Sequence, residues 1–277
     1  MNTPGQVVLG AQHIALGYHR RGAPTQEVLR DFSLALRARE IVAVLGPSGV
    51  GKSTLISVLA GLQRPDAGTV SVFGETVQAA HPAVGVVFQD PCLLPWRTVR
   101  GNVAIGLDFA SRAHREAGVQ RVERVRAALA EVALAEAGDC YPAELSGGMA
   151  QRVALARCLA RQPEILLLDE PFAALDAATR AAMQALLLRV VTARRAAVVL
   201  VTHDIDEALR LADRVLLLRG QPAVLAGSWT LARAKSGEPR HAAPGLHQEI
   251  VSAMTAVNPA APVVASVRVP DCALELA

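Results

Sequence analysis

The string Gly46-Pro47-Ser48-Gly49-Val50-Gly51-Lys52-Ser53 has the spacing GxxxxGK[ST], follows the apolar run Ile41–Leu45 and opens a helical pattern. In that context it reads as a cradle for phosphate. Glycines let backbone N–H groups turn inward around the anion, and the N-terminus of the following helix adds partial positive charge. Lys52 is placed to reach the β and γ phosphates of a nucleotide, Ser53 to ligate Mg2+, and the Thr54 hydroxyl to add a phosphate contact. A second apolar run, Ile165–Leu168, ends in two carboxylates, Asp169 and Glu170. Ligands sit at strand ends of open α/β sheets. Asp169 is therefore expected to hold Mg2+, directly or through water, and Glu170 to orient and polarise an attacking water. A third run, Val198–Val201, leads through Thr202 to His203. An imidazole there either hydrogen-bonds at a helix start or, beside the γ-phosphate, senses and stabilises it.

These residues need strands to aim them. Apolar runs that look like buried strands occur at Ile41–Leu45, Val84–Phe88, Ile165–Leu168, Ala197–Val201 and Val215–Leu218. Helical patterns separate them: after Lys52, at Gln120–Val132, Gly148–Arg161, Asp176–Thr192 and Asp204–Ala212. Strands alternating with helices predict a parallel α/β sheet. The stretches Gln6–Leu9, Phe32–Leu36 and Thr69–Phe73 have hairpin-like spacing and predict an antiparallel layer beside it. Between Gln89 and Arg161 the strand signal gives way to Ala, Arg, Glu and Leu, which predicts an inserted helical subdomain. After about Lys235 the chain is rich in Ala and Pro, with one short helix expected at Leu246–Met254.

Composition narrows the class. A chain of 277 residues with 52% hydrophobic content has ample surface to bury in a core. Net charge of only +3 and an aromatic fraction of 3% argue against nucleic acid as a partner. Lysine occurs only at Lys52 and Lys235. Cys92, Cys140, Cys158 and Cys272 show neither CxxC nor Cys/His metal spacing, which fits a reduced compartment. The stretch Met1–Arg21 lacks a basic start followed by an apolar run, and no apolar run reaches membrane-spanning length. The expected location is cytoplasmic.

Leu145-Ser146-Gly147-Gly148-Met149-Ala150-Gln151-Arg152 resembles the signature motif of ABC ATPases in its variant with Met in fifth place. Other P-loop proteins share the phosphate cradle but do not place this string just upstream of the acidic strand. In physical terms Ser146, Gly147 and Gly148 supply exposed donors at a helix start, suited to a second face of a γ-phosphate, and the serine would serve equally as an ordinary N-cap. The resemblance covers roughly Gln6–Arg219. It implies a P-loop NTPase core of RecA-like type (residues 1–89 and 162–235) with an antiparallel β layer and an inserted helical subdomain (90–161) carrying the signature, and it assigns no role to the C-terminal extension (236–277). It further implies that Tyr18 stacks on adenine, that Gln89 is the Q-loop glutamine at the catalytic Mg2+, that Ala174-Leu175-Asp176 is the D-loop, and that His203 is the switch histidine. The ligands implied are ATP and Mg2+.

The same resemblance implies a head-to-tail homodimer in which each ATP lies between one copy's P-loop and the other's signature. The stretch Pro91–Leu107 is similar to the segment after the Q-loop in ATPases of nitrate, sulfonate, taurine and bicarbonate importers. That implies a peripheral protein on the cytoplasmic face of the cell membrane. It would work with integral permease subunits and, indirectly, an extracytoplasmic solute-binding protein. Leu93, Leu94 and Trp96 are then either anchors for a permease helix or part of the helical core. Ala173 departs from the Ser or Gly often found before the D-loop, so a hydroxyl able to link two sites is missing. The alternatives are a soluble ABC ATPase acting on DNA or ribosomes and a P-loop small-molecule kinase. The single cassette without a heptad insertion, zinc module or basic aromatic arm argues against the first, and the signature argues against the second.

Overall fold

The computed structural model describes residues 5–18, 26–108, 118–231, 245–256 and 263–266. Lys235, Cys272 and the extension 236–277, apart from 245–256 and 263–266, lie outside the described residues. The chain begins with two long strands, β1 (Val7–Tyr18) and β2 (Gln26–Arg37), followed by β3 (Ile41–Leu45), helix α1 (Lys52–Leu59), β4 (Ala67–Val72), β5 (Glu75–Thr76) and β6 (Val84–Val87). Three helices come next: α2 (Val99–Ile105), α3 (Gly118–Glu131) and α4 (Gly147–Leu159). The order then alternates: β7 (Ile165–Asp169), α5 (Ala177–Arg194), β8 (Ala197–Thr202), α6 (Ile205–Leu211) and β9 (Arg214–Arg219). It closes with β10 (Val224–Thr230), α7 (Leu246–Thr255) and β11 (Val263–Ser266).

Two sheets form. The first has the order β2-β1-β4-β5 and its pairs are antiparallel. In β2, Phe32, Leu34 and Leu36 are buried while Ser33, Ala35 and Arg37 are exposed, the alternation of a sheet with one face on the core. The sequence pattern predicts only short segments here. The strands in fact run 12 residues each, because register shifts between Ala11 and Ile14 and positive φ at His13 and Asp31 let them continue past breaks in the alternation.

The second sheet has the order β11-β10-β9-β3-β8-β7-β6, and β9, β3, β8, β7 and β6 are mutually parallel. Every residue of β3, β7 and β8 is buried, as a parallel sheet covered on both faces requires. Alternate residues serve opposite cores. Ala43, Leu45, Leu166, Leu168, Val198 and Leu200 pack on the side of the helical layer. Val42, Val44, Ile165, Leu167, Val199 and Val201 pack toward α1 and the antiparallel sheet. A slip of one residue in any of these strands would exchange the two sets. The register is therefore held by both cores, and with it the height at which each strand ends.

The helix expected at Leu246–Met254 is α7, and it is part of the core. Leu246 and Ile250 are buried in the helical-side cluster with Trp229. The Trp229 indole Nε1 donates to Glu249 Oε1 at 2.7 Å, and Arg219 donates to the carbonyls of Ala253 (2.7 Å) and Ala256 at the C-terminal end of α7. Ile250→Ala is accordingly expected to destabilise the chain by about 2–5 kcal/mol, the range for emptying a buried aliphatic site. Urea unfolding measures it, and a change within about 0.5 kcal/mol, as at a surface position, would show that α7 does not contribute to the core.

Candidate functional site

β8 lies between β3 and β7, with Leu45 opposite Thr202 and Asp169 opposite Val201. The three strand ends therefore deliver Gly46, His203 and Glu170 side by side. After β3 the chain turns through Gly49 (φ 79°) and Gly51 (φ 111°) before entering α1. At Gly51 a Cβ would meet Val28 Cγ1 at 2.8 Å, so both the backbone angle and the space demand glycine. Gly51 caps α1 without a side chain, which leaves the first-turn N–H groups facing the loop.

Lys52 is 4% exposed and its ammonium donates to the carbonyls of Gly46 and Pro47, both at 3.0 Å. Its Nζ also lies 3.0 Å from Glu170 Oε1. The other Glu170 oxygen, Oε2, sits 3.0 Å from His203 Nδ1. Glu170 has φ 42°, the left-handed region that side-chain-bearing residues seldom adopt, and its N–H donates to the Val201 carbonyl at 3.0 Å. Burial pushes its carboxyl up, but hydrogen bonding and charge from Lys52, with His203 adding to both, outweigh burial and hold it below the usual range. It is an ionised carboxylate at neutral pH, the form that can accept a proton.

Asp169 is governed the other way. Burial dominates and pushes its carboxyl up, against a hydrogen bond from Ser53 and the charge of Lys52, while Glu170 adds to the rise. Its Oδ1 is buried without a hydrogen-bond partner. A carboxylate kept dry, under the influence of the Ser53 hydroxyl and with one oxygen short of a partner is a donor set suited to a hard divalent cation. Tyr18 Oη is 3.1 Å from Thr54 Oγ1, so the half-exposed ring stands at the start of α1.

The remaining sequence candidates lie apart. Gln89 is exposed just beyond β6. Ser146 is the N-cap of α4, its hydroxyl accepting from Met149 N at 3.3 Å, and Gly147 and Gly148 form the first turn. Among the described residues none of these four makes a hydrogen bond or ion pair with the phosphate-cradle string. Gln151 in α4 donates to the Phe88 carbonyl at 3.2 Å, which ties the signature helix to the segment bearing Gln89. The following loop is pinned by Asn102, fully buried, which accepts from Leu94 N and donates to the carbonyls of Leu94, Arg97 and Thr98. Leu93 packs partly into the helical core, whereas Trp96 is 72% exposed at the tip.

The sequence profile of the ABC transporter family matches residues 29–173. The chain is 50% identical over 203 residues to the aliphatic sulfonates import ATP-binding protein SsuB 1 of Xanthomonas axonopodis pv. citri (strain 306), covering 73% of this chain and 79% of that one. It belongs to the ABC transporter family. Similarity to other ABC proteins is of the same order. The taurine import ATP-binding protein TauB of Pseudomonas aeruginosa (strain UCBPP-PA14) is 46% identical over 215 residues, 78% of this chain and 80% of that protein. Among solved ABC structures, the dimeric cassette MJ0796 in a post-hydrolysis state with ADP and Pi superposes with a TM-score of 0.67 at 32% identity, covering 76% of this chain and 93% of that one. The parallel sheet, the antiparallel layer and the helices between β6 and β7 are thus the architecture of an ABC cassette.

Sequence spacing did not point to Glu207. It is 6% exposed at the start of α6, its Oε1 has no partner, and burial, with Asp204 adding, pushes its carboxyl up to about 8. The signal was present in the helical period, since Ala208 and Leu211 place the neighbouring position 207 on the buried face. Because the folded carboxyl lies above its ordinary value of 4.5, the native state holds a proton that the unfolded chain has lost, and stability falls as pH rises from 4.5 toward 8. Glu207→Gln should remove that dependence. Its Tm should exceed that of the unaltered chain at pH 8, by roughly 2–4 °C for each kcal/mol recovered, with the gap closing toward pH 4.5. Melting curves that stay parallel across this window would contradict the assignment.

Proposed function

We propose that the chain is the ATP-hydrolysing subunit of an importer for an organic or inorganic anion such as a sulfonate or nitrate. ATP binding closes a head-to-tail homodimer, hydrolysis reopens it, and the cycle drives uptake through a separate integral membrane permease. The observation that carries this reading is the convergence of Lys52, Glu170 and His203 at three neighbouring strand ends, with Glu170 touching both of the others. The anion class rests on relatives whose names specify aliphatic sulfonates, nitrate and taurine.

In this reading the backbone from Gly46 to Gly51, with Lys52 and Thr54, binds the phosphates, and Tyr18 stacks on adenine. Ser53 and Asp169 would hold Mg2+, which fits the partnerless Asp169 Oδ1, with Gln89 the further ligand that the family resemblance implies, and the ion would supply neutralisation of phosphate charge. Glu170 takes the proton of the attacking water, and the Lys52 ammonium, between the phosphates and Glu170, keeps that carboxylate ionised. His203 orients Glu170 through Oε2 and stands beside the γ-phosphate. Ser146, Gly147 and Gly148 at the head of α4 meet the γ-phosphate held by the second copy, so ATP prefers the closed dimer and its cleavage removes that preference.

The permease is expected to seat on the loop from Pro91 to Arg97, which Asn102 and Arg157 fix in place and from which Trp96 projects. No helix among the described residues is long and apolar enough to cross a membrane. In this reading the chain is peripheral, on the cytoplasmic face, and an extracytoplasmic solute-binding protein chooses the solute. Glu170→Gln is expected to bind ATP normally and hydrolyse it about 100-fold to 10,000-fold more slowly, the span for losing a general base. Phosphate release without any acceptor reports hydrolysis, and light scattering should show dimers accumulating with ATP. Near-normal turnover in the variant would remove Glu170 from the role, and phosphate release only with an added acceptor would mark a kinase.

A further inference from the structure

Arg180, in the first turns of α5, joins two segments that both border the site. Its Nη2 donates to the carbonyl of Leu175 in the D-loop at 3.0 Å, and its Nη1 lies 3.6 Å from Asp204 Oδ2, the residue after His203. Asp204 is itself fixed on two more sides. Its N–H donates to Thr202 Oγ1 at 3.0 Å, and its Oδ1 caps α6 by accepting from Glu207 N at 3.1 Å. The fork of one guanidinium thus spans the D-loop and the backbone that carries the switch histidine, a geometry that a point-like ammonium does not reproduce.

The same turn of α5 touches the signature helix. Thr179, adjacent to Arg180, packs so closely on Gly148 that a Cβ there would fall 2.4 Å from Thr179 Cγ2. Asp176 caps α5 by accepting from Ala178 N and Thr179 N, both at 3.1 Å, so this turn moves as a unit with the D-loop. A contiguous path therefore runs from Gly148 through Thr179 and Arg180 to Asp204, His203 and Glu170, all within one chain. Ala173 offers no hydroxyl for linking the sites, and Arg180 makes a link without it.

We propose that Arg180 is the positioning residue that couples a chain's signature, engaged on its partner's nucleotide, to the His203–Glu170 pair of its own site. The proposal rests on the dimeric ATPase reading above. Engagement of Ser146, Gly147 and Gly148 shifts α4, Thr179 and the α5 turn follow, and Arg180 transmits the shift to Asp204 and hence to the His203 ring. The half-buried ion pair, at 3.6 Å, contributes little stability by itself. Its effect is geometric, and misplacing a catalytic group by a fraction of an ångström to an ångström lowers turnover.

A double-mutant cycle on the full-length chain tests this. Arg180→Ala breaks both contacts, while Asp204→Asn keeps an N-cap for α6 and removes the charge that faces Arg180 and that also disfavours ionisation of Glu207. Each single variant is expected to lose about 10-fold to 100-fold in kcat with KM for ATP unchanged and Tm not lowered, and the double variant to be no slower than the slower single one. Losses that multiply in the double variant overturn the proposal, as does unchanged kcat in either single variant. A kcat loss that tracks a lower Tm and a raised KM also overturns it, in favour of a purely structural role. If the unaltered chain releases no phosphate, the ATPase reading itself fails. A failed cycle on an active chain refutes the coupling alone.

Discussion

Glu170 is held between Lys52 and His203, and almost everything else in the fold serves that contact. A carboxylate at 13% side-chain exposure would tend to take up a proton, and a neutral acid there could not activate water. The ammonium at 3.0 Å keeps it charged, and the imidazole fixes its second oxygen. Both partners arrive by backbone routes with no freedom to drift: Lys52 from a turn that only glycine permits at Gly51, His203 from a strand buried on both faces. The positive φ of Glu170 itself is tolerated because its N–H is tied to β8 through the Val201 carbonyl. Local strain of this kind persists where the surroundings over-determine it.

Around this contact the protein accumulates buried acids that do not improve stability. Asp169 and Glu207 are both nearly inaccessible, both have an oxygen without a partner, and burial raises both carboxyls. Their chemistry diverges through neighbours. Asp169 has the Ser53 hydroxyl and the Lys52 ammonium beside it, and a divalent cation would complete its partners. Glu207 has Asp204 as its strongest charged influence and stays protonated at neutral pH. The Arg180 guanidinium pairs with half-buried Asp204, and its charge acts on Glu207 only as a smaller influence opposing burial. The core that offsets these costs is split by the main sheet, and α7 extends one half through Trp229, Leu246 and Ile250.

The parts of this arrangement legible in sequence are those in which one short segment does one job. Ile41–Leu45 is a buried strand because it is apolar throughout, and Gly51 announces a turn that no other residue can make. The signature could be read for the same reason, since Ser146 both caps α4 and heads a glycine pair. Longer strands were underestimated because β1 and β2 bend through bulges at which the alternation breaks. Helix α2 went unread because it spans only 7 residues, contains Gly101 and is organised by the loop that Asn102 gathers, not by an apolar period. Strand β10 carries Gly227 and Ser228 where a strand pattern would have apolar residues, and Trp229 restores it through a tertiary contact with Glu249. The Arg180 link joins residues separated in sequence by an entire helix and strand, and no local spacing encodes it.

Ser146 and Lys52 belong to one polypeptide yet make no hydrogen bond or ion pair within it, so the account requires that they act on the same nucleotide only when contributed by different copies. Mixing two inactive variants tests this most directly. Lys52→Ala disables the cradle and Ser146→Arg disables the signature, so each homodimer has two dead sites, while a mixed dimer regains one intact site. The account predicts that phosphate release, absent from either variant alone, returns when the two are combined and re-equilibrated. A mixture as inert as its components, or full activity in Ser146→Arg alone, would contradict it.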